Sequence, residues 1–174
     1  MTPPDILMAV DPGSSGAIAM YLGLRNSPYR FERVFDIPTT VIQVNKKKRT
    51  IIDAPGLSRE ILYHCGRGDS NLLVCESVSA MPGQGVTSMF GFGRSVGVIE
   101  GVAAGLEIPV DRITAPEWHR ILEIPSGATK DHMRALAVQH TQAHSSFVLA
   151  KHHNRADAAL IGLAYIKKQG WEVS

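Results

Sequence analysis

The sequence predicts an α/β fold: a mixed five-stranded sheet flanked by helices. Three observations predict it. The elements run as three strands, a helix, a strand, a helix, a strand, and then helices only. The first three strands are joined by short connections, which calls for antiparallel hairpins. Two buried apolar runs each end in an acid, which brings those acids to one edge of the sheet.

Residues 5–11 read as the first strand. Ile6-Leu7-Met8-Ala9-Val10 is an unbroken apolar run that Pro12-Gly13 stops. Asp11 ends the run. An ionised carboxylate there is costly unless something compensates it, and a metal ion is one such compensator. Residues 17–22 read as the second strand, reached through the Gly13-Ser14-Ser15-Gly16 turn. Residues 29–37 read as a third, more exposed strand, with Phe31, Phe35 and Ile37 on one face and Arg33 interrupting it. Lys46-Lys47-Lys48-Arg49 is a dense basic run between two apolar segments. It reads either as a solvated loop or as a phosphate-contacting loop.

Leu57, Ile61, Leu62 and Cys65 have helical spacing. Leu72-Leu73-Val74-Cys75 is the second buried run, and Glu76 ends it. A Gly- and Pro-containing loop follows, from Ser79 to Gly85. Val86 to Leu106 reads as a long helix in which Gly93, Gly97, Gly101 and Gly105 recur every four residues. They lay a smooth stripe on one face, where another backbone can approach. Packing of that stripe on the sheet is the preferred reading; an interface between two copies is the other. Val110 to Ile113 is a short strand. Ala115-Pro116-Glu117-Trp118 starts a helix, with Pro where its missing N–H does no harm. Thr129–Thr141 and Asn154–Lys168 are the last helices. Asp157 reads as a first-turn acid, favoured there by the helix dipole. His153 and Asn154 stand four and three residues before it, so one turn aims either at the same spot.

The composition narrows the class. A chain of 174 residues is long enough for one domain with a real core, spanning 1–174. Hydrophobic residues at 44% against 20% charged exclude a disordered chain. No apolar run reaches the roughly 20 residues of a membrane span. The N-terminal stretch has no basic region of the secretory type. Cys65 and Cys75 form no CxxC pair, which argues against a zinc ribbon and fits a reducing cytoplasm. The net charge of +2 is weak evidence for a polyanionic partner; the basic run says more.

Four ordered segments carry a resemblance: Val10-Asp11-Pro12-Gly13, Val74-Cys75-Glu76-Ser77-Val78, Phe92-Gly93-Arg94-Ser95-Val96-Gly97-Val98, and Arg155-Ala156-Asp157-Ala158-Ala159-Leu160. Together they resemble the RuvC family of Holliday junction resolvases, within the RNase H-like superfamily, and they span nearly the entire chain. The compact length suggests a phage-type member. The resemblance implies Asp11, Glu76 and Asp157 as metal-binding catalytic acids, with two Mg²⁺ or Mn²⁺ ions as cofactors. The family adds a fourth acid or a histidine one turn before the last acid. Here His153 is the better candidate and Asn154 the alternative, since an amide is a weak ligand for a hard cation. Lys130 falls where the family carries a basic residue near the scissile phosphate. Lys46, Lys47, Lys48, Arg49, Arg94 and Met81 make up the expected DNA-contacting set. Met81 is the apolar side chain that could wedge between base pairs. Branched DNA is the expected partner, bound by a symmetric homodimer; nothing in the sequence names a helicase partner.

The chemistry suits these residue types. Two metal ions held by clustered carboxylates activate water and neutralise the leaving oxygen without a protein nucleophile. Other readings are a flap or RNA–DNA hybrid nuclease of the same superfamily, a non-catalytic DNA-structure binder, and an actin-like phosphotransferase, for which the chain is too short. His140 and His144 lack a third ligand and read as ordinary residues. His119 reads as a surface residue, and Phe90 and Phe92 read as core.

Overall fold

The computed structural model describes residues 2–23, 27–44, 46–65, 70–77 and 85–174. The strands are β1 (Ile6–Asp11), β2 (Ala17–Leu22), β3 (Arg30–Asp36), β4 (Thr39–Val44), β5 (Lys47–Ile52), β6 (Asn71–Ser77) and β7 (Val110–Thr114). Five of them form one sheet in the order β3-β2-β1-β6-β7. β1 pairs antiparallel with β2, and β2 with β3; β1–β6 and β6–β7 are parallel. The mixed five-stranded sheet predicted from sequence is therefore present. The helices are α1 (Ala54–His64), α2 (Val86–Gly105), α3 (Ala115–Ile121), α4 (Lys130–Thr141), α5 (His144–Phe147) and α6 (His153–Lys168). None of them is long and apolar enough to cross a membrane.

Successive residues of β1 serve opposite faces of the sheet. Ile6, Met8 and Val10 pack with Leu57 and Ile61 of α1 and Ile99 and Ala103 of α2. Leu7 and Ala9 pack on the other side with α3, α4 and α6. α6 is buried without a break from Ala158 to Ile166, which explains why its sequence is small and apolar all round. A Cβ added at Gly162 would lie 2.5 Å from the Tyr21 ring and 3.0 Å from the Ala9 Cβ, so only glycine lets α6 lie this close to β1 and β2. The buried Tyr21 hydroxyl donates to the Ala159 carbonyl at 2.6 Å and locks the contact.

Several expectations change. Tyr21 pairs with Phe31, but Met20 pairs with Arg33, so β3 carries one extra residue. This bulge reverses the alternation. Phe31 packs on the α6 side and Phe35 on the α1–α2 side, not together. The basic run is not a loop. Lys46 takes φ 62°, and Lys47, Lys48 and Arg49 enter β5, which pairs antiparallel with β4 in a separate two-stranded sheet. α2 packs inward through Ser95, Ile99 and Ala103, and its glycine stripe does not touch the sheet. A Cβ at Gly93, Gly97, Gly101 or Gly105 meets no described atom within 4 Å. Phe90, read as core, is 74% exposed.

Candidate active site

Parity and register bring the first two acids together. Asp11 continues the series Leu7, Ala9; Glu76 continues Leu72, Val74. Both series line the α6 side of the sheet. β1 and β6 are parallel neighbours with Val10 opposite Cys75, so the next residue of each strand is an acid at the same carboxyl edge. α6 crosses that face and brings Asp157. Because α6 begins at His153, its first turn holds no acid and Asp157 sits in the second. The helix dipole, which fades beyond the first turn, does not account for it.

The three carboxylates act on one another. The Asp11 carboxyl is pushed up from 3.8 to about 8, by burial first and by Asp157 and then Glu76 after it. Asp157 rises to about 6, through burial first and Glu76 second, while His153 and Lys130 oppose the rise. The structure thus places Asp11, Glu76, His153 and Lys130 each within electrostatic reach of Asp157. Lys130 opens α4 immediately after Thr129, whose hydroxyl caps the helix by accepting from the His132 N–H at 3.1 Å.

Three supports had no sequence signal. Trp118, 3% exposed at the start of α3, donates its indole N–H to Glu76 Oε1 at 2.8 Å. Arg155 makes a two-pronged ion pair with Asp36 at 2.6 and 2.8 Å. Asn154 donates its side-chain amide to the Ser15 carbonyl. The last two tie the first turn of α6 to the end of β3 and to the turn after Asp11. That turn needs glycine, since a Cβ at Gly16 would lie 2.1 Å from the Asp11 carbonyl oxygen. The two neighbours before Asp157 are therefore not equivalent. Asn154 holds the turn. His153 Nδ1 lies 3.3 Å from the Ala150 carbonyl, which can only accept, so the neutral ring carries its proton there and its lone pair on Nε2.

The expected DNA-contacting residues do not join this cluster. Lys46, Lys47 and Lys48 are exposed at the β4–β5 hairpin. Arg49 and Arg94 line a groove of about 380 Å³, and Pro12, the residue after Asp11, lines it too. Met81 lies outside the described residues. His119 stacks edge-on against Trp118, with ring centroids 4.0 Å apart.

Among the described residues, no three His, Cys, Asp or Glu side chains converge tightly enough to form a metal-binding group. The donor chemistry nonetheless fits a hard dication. Three partly buried carboxylates of like sign repel one another, and their oxygens are the donors that Mg²⁺ and Mn²⁺ prefer.

A mixed sheet in this order, with α6 across its centre, is an RNase H-like fold. No protein-family model matches the sequence, and no curated protein matches it either. Solved structures do. The chain is similar to RuvC of T. thermophilus in complex with a Holliday junction substrate, with a TM-score of 0.56 at 13% identity over 95% of this chain and 96% of that one. A second Thermus thermophilus RuvC structure gives 0.56 at 14% identity, over 95% and 97%. The Holliday junction resolvase of fowlpox virus gives 0.55 at 13% identity, over 94% and 99%. The chain therefore has a RuvC-like fold, as the four sequence segments implied.

Proposed function

We propose that this chain is a metal-dependent crossover junction endodeoxyribonuclease that hydrolyses phosphodiester bonds at four-way (Holliday) DNA junctions in recombination and repair. The observation that supports the reading is the mutual electrostatic influence of Asp11, Glu76 and Asp157, from three separate elements, on a RuvC-like fold. The three acids and His153 would hold two Mg²⁺ or Mn²⁺ ions. Such ions, when bound, supply an activated water and neutralise the leaving oxygen. The chain's own groups do the rest. Trp118 fixes one oxygen of Glu76 and so sets the direction of the other. Lys130, beside Asp157, offers positive charge where charge develops on the phosphate. The Asn154 and Arg155 ties keep Asp157 in register with Asp11.

A four-way junction has near two-fold symmetry and needs two matched cuts, which a symmetric homodimer provides. The open glycine face of α2 supports that assembly, because two helices can approach closely along it. The cytoplasm remains the proposed location.

The test is a cleavage panel of four-way, flap, RNA–DNA hybrid and linear substrates with Mg²⁺ or Mn²⁺. Paired nicks near the exchange point of the four-way junction are expected. Asp11→Asn, Glu76→Gln and Asp157→Asn should each lower the rate about a thousandfold or more while gel-shift affinity persists. Preferential cutting of flaps or hybrids would assign a different nuclease activity. Near-normal turnover by one variant would remove that residue from the site.

A further inference from the structure

The groove beside the acid cluster has a composition that the proposed chemistry does not require. Its floor and walls come from three places: the turn after Asp11, the end of β5 and the first half of α2. Arg49 and Arg94 line it, and among the described residues no Asp or Glu does. Phe90 also lines it, yet this large aromatic side chain is 74% exposed. An exposed ring in a groove carrying two guanidinium groups is an arrangement that binds a nucleotide: the ring stacks on a base while the cations meet the flanking phosphates. Hydroxyls from Ser14 and Ser15 in the turn and from Thr87 and Ser88 in α2 add hydrogen-bonding capacity to the lining.

We infer that this groove is a nucleotide subsite, holding an unpaired base of the substrate DNA on the Phe90 ring with its phosphates on Arg49 and Arg94. The inference rests on the proposed nuclease reading for its DNA, but not on junction selectivity. The charge argues for a nucleic acid over an apolar peptide, because the charged residues among the described lining, Arg49 and Arg94, are positive. Continuity argues the same way. Pro12, the residue after Asp11, lines the groove, so a strand lying in it passes beside the turn that carries that acid. A base is free to enter only where pairing is interrupted, as at the centre of a branched molecule. The subsite would thus favour substrates with an unpaired or unstacked nucleotide next to the cut.

The test places 2-aminopurine, a fluorescent base, at successive positions around the exchange point of a four-way junction and in a single-stranded oligonucleotide. Fluorescence is read in EDTA, so cleavage does not compete. One position should change its emission on saturation with protein. Phe90→Ala should abolish that change and weaken binding about tenfold, the size of one lost stacking contact. Phe90→Trp should restore both. Arg49→Gln and Arg94→Gln should each reduce the slope of log affinity against log salt by about 0.7–0.9. Because Phe90 is largely exposed, its variants should melt as the parent does, and a melting curve checks this. No responsive position, or a response that survives in Phe90→Ala, overturns the subsite. A Phe90-dependent response on the single strand without preference for junctions keeps the subsite and overturns the junction reading.

Discussion

At the scale of single residues, burial of Asp11 and Asp157, with repulsion between the acids added to it, makes stability depend on pH. The Asp11 pKa near 8 lies above its unfolded value of 3.8. Between those limits the folded chain keeps a proton that the unfolded chain has lost, so stability falls as pH rises. Asp157 adds to the fall over the narrower window from 3.8 to about 6. Metal-free protein should therefore lose stability steadily from about pH 4 to about pH 8. Asp11→Asn stays neutral throughout, and should be more stable than the parent at pH 8 by about 2–4 kcal/mol. Melting in EDTA across this range measures it; equal pH slopes in both proteins would mean that Asp11 ionises without penalty. His153 and Asn154 should separate in a different way. His153→Ala should weaken Mn²⁺ binding about tenfold or more with little change in melting. Asn154→Ala should cost about 1 kcal/mol of stability through the lost bond to Ser15, with Mn²⁺ affinity changed less. The reverse pattern, by calorimetric titration and melting, would make the amide the ligand.

At the scale of elements, α6 places the third acid, and its depth depends on one missing side chain. Gly162→Ala puts a methyl group into the Tyr21 ring and the Ala9 Cβ. The helix must shift outward, costing about 2–3 kcal/mol and moving Asp157 away from Asp11. A denaturant midpoint reads the first effect and a cleavage rate the second. Unchanged values of both would mean that Tyr21 yields instead. Much of this layer was legible in the sequence. The apolar runs of β1 and β6, each ending in an acid, fixed where the site would form, because strand alternation and burial leave little freedom. What stayed hidden were contacts that depend on distant partners. Nothing local says that Trp118 will bond to Glu76, or that Arg155 will clasp Asp36. The β3 bulge was invisible for a related reason: alternation is read one strand at a time, while a bulge exists only between two. The β4–β5 hairpin was missed because its lysines look like a loop when their cross-strand partners are not known.

At the scale of the whole molecule, the densest run of positive charge stands on the β4–β5 hairpin. The hairpin carries Lys47, Lys48 and Arg49 on an exposed strand with Lys46 beside it. Such a row meets phosphates without reading bases. Changing all four to glutamine should weaken binding to every DNA sequence alike and lower the salt slope by about 3–4. An unaltered slope would leave the hairpin out of the DNA-binding surface. The two tryptophans have different partners. Trp171 stacks on Tyr29 beyond the carboxyl end of α6, whereas Trp118 bonds to Glu76. An indole hydrogen-bonded to a carboxylate senses that carboxylate's charge. The intensity and colour of Trp118 emission should shift when a cation takes up Glu76, while Trp171 stays constant as an internal standard. On the proposed metal-dependent reading, Trp118 would serve as an optical gauge of metal loading, and Glu76→Gln should silence it.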